Sequence, residues 1–414
     1  MAALQPVRGT HDLLPEEMRR HRAVIERARG VAELYGYLEM ATPVFEFTEV
    51  FQRTLGDTSD IVTKEMYTFE TAGGERITLR PENTAGVARA YMSNGLQQSL
   101  PLKFFYAGPM FRHERPQKGR QRQFHQIGLE LLGVAAPRGD VEIILAGRRI
   151  LEALGVAEDT LLEINTLGDP DSRHSYREAL VSYFSDHRDR LSEDSLDRLQ
   201  RNPLRILDSK DAGDRAVVED APHFKEFLNA ESQDFFAAVL ADLDTLGIAY
   251  RVNSRLVRGL DYYTHTAFEF VTEKLGAQGA VMAGGRYDGL VETMGGPPTP
   301  GVGWAAGVER LAMLLCDVPA APRPIAIVPL GAEAEARALT LAEELRKAGL
   351  AIELGYSGNI KKRLNRANKI SARAAVILGE DELAEGVASV RDLDSGEQDR
   401  VPLDALKDRL AKFR

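Results

Sequence analysis

Hydrophobic positions alternate with two different periods along this chain, and the switches between them outline its elements. Residues 15–36 carry apolar side chains at Val24, Ala28, Val31 and Leu34, with proline at one end and glycine at the other, which predicts a helix. Residues 38–47 are β-branched and aromatic but are broken by Pro43, so they read as a strand edge or interface segment. A short strand over 76–81 and a helix over 84–92 follow. The next two apolar runs, 102–114 and 121–133, are separated by a polar loop and predict a long hairpin. A helix over 141–154 and a strand over 160–165 complete the first half.

From about residue 170 the texture changes. Residues 171–228 are rich in Asp, Arg, Glu, Ser and Leu at helical spacing, which predicts a helical insertion within 170–245. Strands resume near residue 248 and over 261–271. A glycine-rich stretch covers 276–303, and a helix follows over 308–316. The proline-rich segment 318–324 reads as a linker. Beyond it, strand (325–329), helix (333–348), strand (351–354), helix (359–372) and strand (375–378) alternate. That order predicts a small α/β domain with a largely parallel core over 323–414. Residues 1–320 would form the main domain.

Side chains alternate across a strand, so parity sorts the two faces of the hairpin. Ile127, Leu129 and Leu131 share one face with Phe105 and Phe111. The other face carries Arg112, Glu114, Gln126 and Glu130, polar groups placed to receive a ligand. Glu130 inside an apolar strand needs a partner, because buried carboxylates are rarely left unpaired. The connecting loop holds Arg112, Arg115, Lys118, Arg120 and Arg122 against a single carboxylate, Glu114. Two readings remain open by spacing alone: a solvated basic turn, or a surface for a phosphate-rich partner.

Composition narrows the class. The 414 residues are 44% hydrophobic and 28% charged, an ordinary globular balance with room for two or three domains. With 52 Lys and Arg against 62 Asp and Glu, the formal charge is −10, which argues against a surface that coats nucleic acid everywhere. The single cysteine, Cys316, leaves no internal disulfide and no cysteine cluster for zinc, as suits a reducing cytoplasm. No apolar leader opens the chain and no run approaches the roughly 20 residues of a membrane span, so no membrane association is expected. His113, His125 and His265 match no zinc spacing and read as structural histidines, so no metal is assigned to protein ligands.

The hairpin Phe111-Arg-His-Glu-Arg-Pro-Gln-Lys-Gly-Arg-Gln-Arg-Gln-Phe-His-Gln126 closely resembles motif 2 of the histidyl-tRNA synthetases, a family of class II aminoacyl-tRNA synthetases. Arg8-Gly-Thr-His-Asp-Leu-Leu-Pro15 resembles that family's N-terminal signature. Arg258-Gly-Leu-Asp-Tyr-Tyr263 and Gly284-Gly-Arg-Tyr-Asp-Gly289 resemble its two histidine-specific motifs, and Gly301-Val-Gly-Trp-Ala-Ala-Gly-Val-Glu-Arg310 its motif 3. Thr42-Pro43 falls at the motif 1 proline of the dimer interface. The likeness runs along the whole chain.

It implies an α+β fold: an antiparallel-sheet catalytic domain with a helical insertion, plus a C-terminal α/β anticodon-binding domain. It implies that L-histidine and ATP form an adenylate and that the histidyl group then passes to tRNA(His), in a homodimer using Mg2+. In that scheme Arg112 and Arg258 are the catalytic cations at the α-phosphate. Glu114, Arg120, Phe124 and Arg310 hold the rest of ATP, with Glu114 on the adenine side or on magnesium. Glu82, Thr84 and Gln126 hold the α-amino group; Glu130 and Tyr263 read the imidazole, and Tyr262 and Tyr287 line the pocket. Arg115, Gln117 and Arg122 face the tRNA acceptor end. Two residues depart from the pattern: Asn83, where glycine is frequent, and Gln121, where tyrosine is frequent.

An alternative is the non-catalytic relative that regulates ATP phosphoribosyltransferase, which typically lacks both the aminoacylation residues and the C-terminal domain. In the C-terminal region, residues 354–379 contain no acidic residue but six cations: Lys361, Lys362, Arg363, Arg366, Lys369 and Arg373. Ile360, Leu364 and Ala367 are expected to mark the buried side of that helix. A solvated basic helix and a nucleic-acid surface are equally compatible with the spacing, and the resemblance favours the surface.

Overall fold

In the computed structural model, residues 3–56, 61–117, 119–256, 262–276 and 279–413 are described. Arg258, Lys118 and residues 259–261 lie outside them. The chain divides into two units, Met1–Pro319 and Ala320–Arg414.

The first unit is built on an eight-stranded sheet and a three-stranded one. Its strands in chain order are β1 (Leu38–Glu39), β2 (Phe45–Phe47), β3 (Tyr67–Glu70), β4 (Arg76–Leu79), β5 (Leu102–Phe111), β6 (Gln123–Leu132), β7 (Leu161–Thr166), β8 (Tyr250–Val252), β9 (Thr264–Val271), β10 (Ala280–Arg286) and β11 (Gly301–Gly307). The large sheet runs β1-β5-β6-β11-β10-β9-β7-β8, antiparallel through its centre from β5 to β7. The small sheet is β2-β4-β3.

The hairpin is β5 and β6, paired from Leu102↔Leu132 to Phe111↔Gln123. Parity sorts its faces as the alternation requires. Phe105, Ile127 and Leu129 are fully buried against helices Pro15–Leu34, Arg138–Ala153 and Val308–Leu314, through Val24, Ala28, Ile143, Ile144 and Leu311. The opposite face holds Tyr106 and Met110 in a second cluster with Val87, Tyr91, Tyr263 and Tyr287. One face of the sheet is thus the main core, and the other is the platform on which the site is built.

The glycine-rich stretch is where the sequence reading was incomplete. It contains β10 and the start of β11, the two central strands, and glycine is there because neighbours need the space. A Cβ on Gly303 would collide with the Glu130 carboxylate, and one on Gly301 with the Tyr287 ring. Next to them Arg286, fully buried, pairs with the equally buried Asp140 and with Asp288 at 3.0 Å, and donates to the Val134 carbonyl at 2.9 Å. Losing one partner of such a pair costs about 3–5 kcal/mol, so this Arg is a structural pin of the platform.

Helices Pro170–Asp186, Glu193–Arg201 and Ala212–Val218 gather their own small core, with Tyr176, Leu180, Phe184, Leu199, Ile206 and Val217. Helix Ala230–Thr245 instead sends Val239 and Leu243 into the main core.

The second unit holds β12 (Ile325–Pro329), β13 (Ile352–Leu354), β14 (Ala374–Leu378), β15 (Val387–Asp392) and β16 (Gln398–Pro402), in the order β13-β12-β14-β15-β16. Only β13, β12 and β14 are parallel; β15 and β16 extend the sheet antiparallel, a correction to the largely parallel core expected. Helix Ile360–Lys369 turns Leu364 and Ala367 inward as expected but differs at Ile360. Ile360 is exposed, while Arg363 is buried because its guanidinium reaches the Pro329 carbonyl and Glu335. Lys361, Lys362, Arg366 and Lys369 stay on the outside.

Candidate active site

A cavity of about 250 Å³ opens on the platform face of the large sheet. Its walls come from the first turn of helix Thr84–Ser93 (with Glu82 just before it), from the β5–β6 hairpin, from β9 and β10, and from the junction of β11 with helix Val308–Leu314. It brings together Glu82, Thr84, Arg112, Glu114, Arg120, Phe124, Gln126, Tyr262, Tyr263 and Arg310. These residues are far apart in the sequence; the sheet order makes them neighbours.

One part of the cavity is cationic. Arg112 is anchored by its Nε, which donates to the Pro81 carbonyl at 2.9 Å, and its guanidinium carbon lies 5.2 Å from the centre of the Phe124 ring. Arg120 stands 3.0 Å from the Glu114 carboxylate. Arg310 donates from Nη1 to the Ala280 carbonyl at 2.7 Å and from Nε to the Gly119 carbonyl at 3.2 Å, so motif 3 and the hairpin loop are joined at this point. Burial, reinforced by Arg120 and Arg112, pulls the Arg310 pKa down. Three guanidinium groups around one cavity repel one another, and an anion with several negative charges relieves that repulsion.

The other part is a buried polar network. The Glu82 carboxylate accepts from the backbone N–H of Thr84 (2.6 Å) and of Ala85 (3.0 Å), capping the helix start. Burial raises the Glu82 pKa. Thr84 Oγ1 donates to Glu130 Oε1 at 2.6 Å, and the Tyr287 hydroxyl donates to Glu130 Oε2. Glu130 is wholly buried, and burial pushes its carboxyl up to about 8 against the pull of those two hydrogen bonds. Among the described residues, Gln126 Oε1 is buried without a hydrogen-bond partner. An orphaned carbonyl oxygen on a cavity wall is an acceptor awaiting a donor. Tyr262 and Tyr263 pack ring to ring at 4.6 Å, with Tyr287 5.9 Å from Tyr262.

Not every residue singled out from the sequence meets this cavity. Glu130 and Tyr287 are reached from it through Thr84. Arg115 and Gln117 are exposed on the hairpin loop, away from the lining. Arg122 folds back on the N-terminal segment: its Nε donates to the Glu114 carbonyl and its N–H to the Gly9 carbonyl at 2.7 Å. Arg258 falls outside the described residues. The sequence reading passed over two carboxylates on the wall, Glu269 of β9 and Glu309. Glu269 carried the signal that exposed Glu130, an acid between Phe268 and Phe270.

Of the two departures, Asn83 is buried and accepts from Thr42 Oγ1 (2.7 Å) and Arg80 (3.1 Å). It ties the Thr42-Pro43 segment to the Glu82–Thr84 turn. Gln121 lines the cavity.

An antiparallel sheet that carries Arg112 and Phe124 on its hairpin and Arg310 at a strand–helix junction is the arrangement that the sequence resemblance to class II synthetases implies. The family model for histidyl-tRNA synthetase matches residues 9–311, and that for an anticodon-binding domain matches 324–413. Histidine–tRNA ligase of Rhodospirillum rubrum is 64% identical over 414 residues, covering 100% of both chains. That of Gluconacetobacter diazotrophicus is 60% identical over 411 residues, 99% of each. Among solved structures, apo histidyl-tRNA synthetase of S. aureus superposes with a TM-score of 0.82 at 34% identity, over 98% of this chain and 99% of the other. The chain belongs to the histidyl-tRNA synthetase family.

Proposed function

We propose that this chain activates L-histidine with ATP and transfers it to tRNA(His). The observation that carries the reading is one cavity with a cationic part built from Arg112, Arg120 and Arg310 and a polar part built from Glu82, Thr84 and Gln126, with the Glu130–Tyr287 pair bonded behind Thr84.

Adenylation joins two anions: the histidine carboxylate attacks the α-phosphorus of ATP and pyrophosphate leaves. The nucleophile is already ionised, so the protein's task is charge and position. Arg112 meets the α-phosphate with Arg258, Arg310 and Arg120 take the outer phosphates, and Phe124 stacks on adenine. Glu114 and Glu269 offer carboxylate oxygens on the same wall, a donor set that fits Mg2+. When bound, magnesium offsets phosphate charge. The α-ammonium group of histidine finds Glu82 and the orphaned Gln126 oxygen. Glu130, with Tyr263 and Tyr287, holds the two ring nitrogens in a fixed arrangement; a ligand without them leaves buried polar groups unpaired.

In the second step the histidyl group moves to the terminal ribose of the tRNA. Arg115, Gln117 and Arg122 on the hairpin loop serve the acceptor end, and the exposed cations of helix Ile360–Lys369 suit an anticodon stem. Phe45, Phe47 and Phe69 are exposed on the small sheet, an apolar surface that supports a homodimer. Among the described residues no helix is long and apolar enough to cross a membrane. The reading places the reaction in the cytoplasm, where tRNA is charged. The regulatory-subunit alternative is less supported, because the ligase relatives match this chain along its full length.

The test is a single-turnover trap. Radiolabelled histidine and ATP should give one protein-bound adenylate per active site, chased onto a tRNA(His) transcript on mixing. Adenylate that does not pass to this tRNA would contradict the reading.

A further inference from the structure

Behind the motif 3 glutamate lies a second cavity, of about 430 Å³, lined by His11, Glu17, His21, Gln121 and Glu309 among others. Three elements far apart in the sequence meet there. His21 comes from helix Pro15–Leu34 and is 5% exposed. His125 comes from β6, and Glu309 from helix Val308–Leu314. The two imidazole rings meet edge to face with centroids 5.5 Å apart. His125 Nδ1 is 2.9 Å from Glu309 Oε1, and the His125 backbone N–H donates to the same carboxylate at 2.9 and 3.0 Å. One ligand atom from each of the three residues lies within 4.8 Å of the others.

We propose that His21, His125 and Glu309 form a binding site for a divalent transition ion, zinc above all. Two imidazoles and one carboxylate are a donor set that suits zinc and disfavours magnesium and calcium, which take oxygen ligands. Zinc–nitrogen bonds of about 2.0–2.1 Å put neighbouring ligands roughly 3.4 Å apart, so a shift of about 1 Å in side-chain position closes the triad. The fourth position opens to the cavity, where His11 or Glu17 on its wall, or water, completes a tetrahedron. This site is separate from the magnesium of the nucleotide, yet it shares Glu309 with the wall of the first cavity. Since Glu309 fixes the backbone between Phe124 and Gln126, an ion here stiffens the strand that carries the adenine-facing ring.

Equilibrium dialysis of the untagged, full-length, metal-free chain against zinc, with the metal counted by mass spectrometry, tests this. The expected result is one ion per chain and a melting temperature that rises with zinc concentration. His21→Phe keeps the ring-edge contact and should weaken zinc binding by about tenfold or more. Glu309→Gln should do the same and decides the matter if His21→Phe does not fold. His174→Gln and Cys316→Ser, which alter exposed side chains outside the cavity, should bind as the parent does. No stoichiometric zinc in the parent, or equal binding in the parent and the triad variants, overturns the proposal. So does binding lost only in His174→Gln or Cys316→Ser.

Discussion

Thr84 Oγ1 donates a 2.6 Å hydrogen bond to Glu130 Oε1, and so joins the start of a helix to the middle of the central sheet. The same residue's backbone N–H donates to Glu82. Thr84 therefore stands between two buried carboxyl groups, one assigned to the α-amino group of the substrate and the other to its ring. Thr84→Val keeps the shape and deletes the donor. Leaving a buried acceptor without its donor costs about 1–3 kcal/mol. The Michaelis constant for histidine should rise roughly tenfold to a hundredfold in pyrophosphate exchange, with that for ATP nearly unchanged. An equal rise for both substrates would place Thr84 outside histidine recognition.

Glu130→Gln carries a pH signature. The Glu130 carboxyl sits near 8 in the folded protein through burial, above its ordinary value near 4.5. Between those values the unfolded chain is ionised while the folded chain keeps the proton, so the folded state binds more protons and stability falls as pH rises. The neutral variant lacks this loss. Its melting temperature should gain on the parent's from about pH 5 to about pH 8, while histidine activation drops sharply. A melting difference independent of pH would mean that Glu130 is ionised in the apo fold.

Arg112→Lys separates charge from shape. The lysine keeps one positive charge but loses the planar fork and the Nε anchor on the Pro81 carbonyl. The maximal rate of pyrophosphate exchange should fall about a hundredfold or more, with a much smaller change in histidine affinity. A rate within a few-fold of the parent would remove Arg112 from the α-phosphate.

Much of this site was legible in the sequence because it sits on a hairpin, where parity is local and exact. Glu130 announced itself as an acid among Ile127, Leu129 and Leu131, and the basic loop was plain from composition. What stayed hidden depended on pairings across the chain. Strands β10 and β11 carry too many glycines to show a period, because Glu130 and Tyr287 crowd Gly303 and Gly301, while Trp304 and Tyr263 crowd Gly284 and Gly285. Arg286 looked like part of a ligand motif, yet its guanidinium is consumed by Asp140, almost 150 positions away. The antiparallel β15–β16 pair follows a parallel βαβ pattern that gave no hint of its ending. The meeting of His21 with His125 needed the helix to be laid on the sheet first.

The second unit has its own core, from Ile325, Ile327, Leu341, Val376 and Leu410. A chain ending at Pro319 should keep histidine-dependent pyrophosphate exchange within a few-fold of the full protein. Its tRNA charging should fall by about a hundredfold or more, as phosphate contacts from the basic helix are lost. Equal losses in both assays would contradict the division of labour between the units.

The most direct measurement is ATP–pyrophosphate exchange by the full-length chain with each of the twenty amino acids in turn. The account predicts exchange with L-histidine alone, because only an imidazole satisfies Glu130 and its partners while the arginines hold ATP. Exchange with another amino acid, or none with histidine, would contradict it.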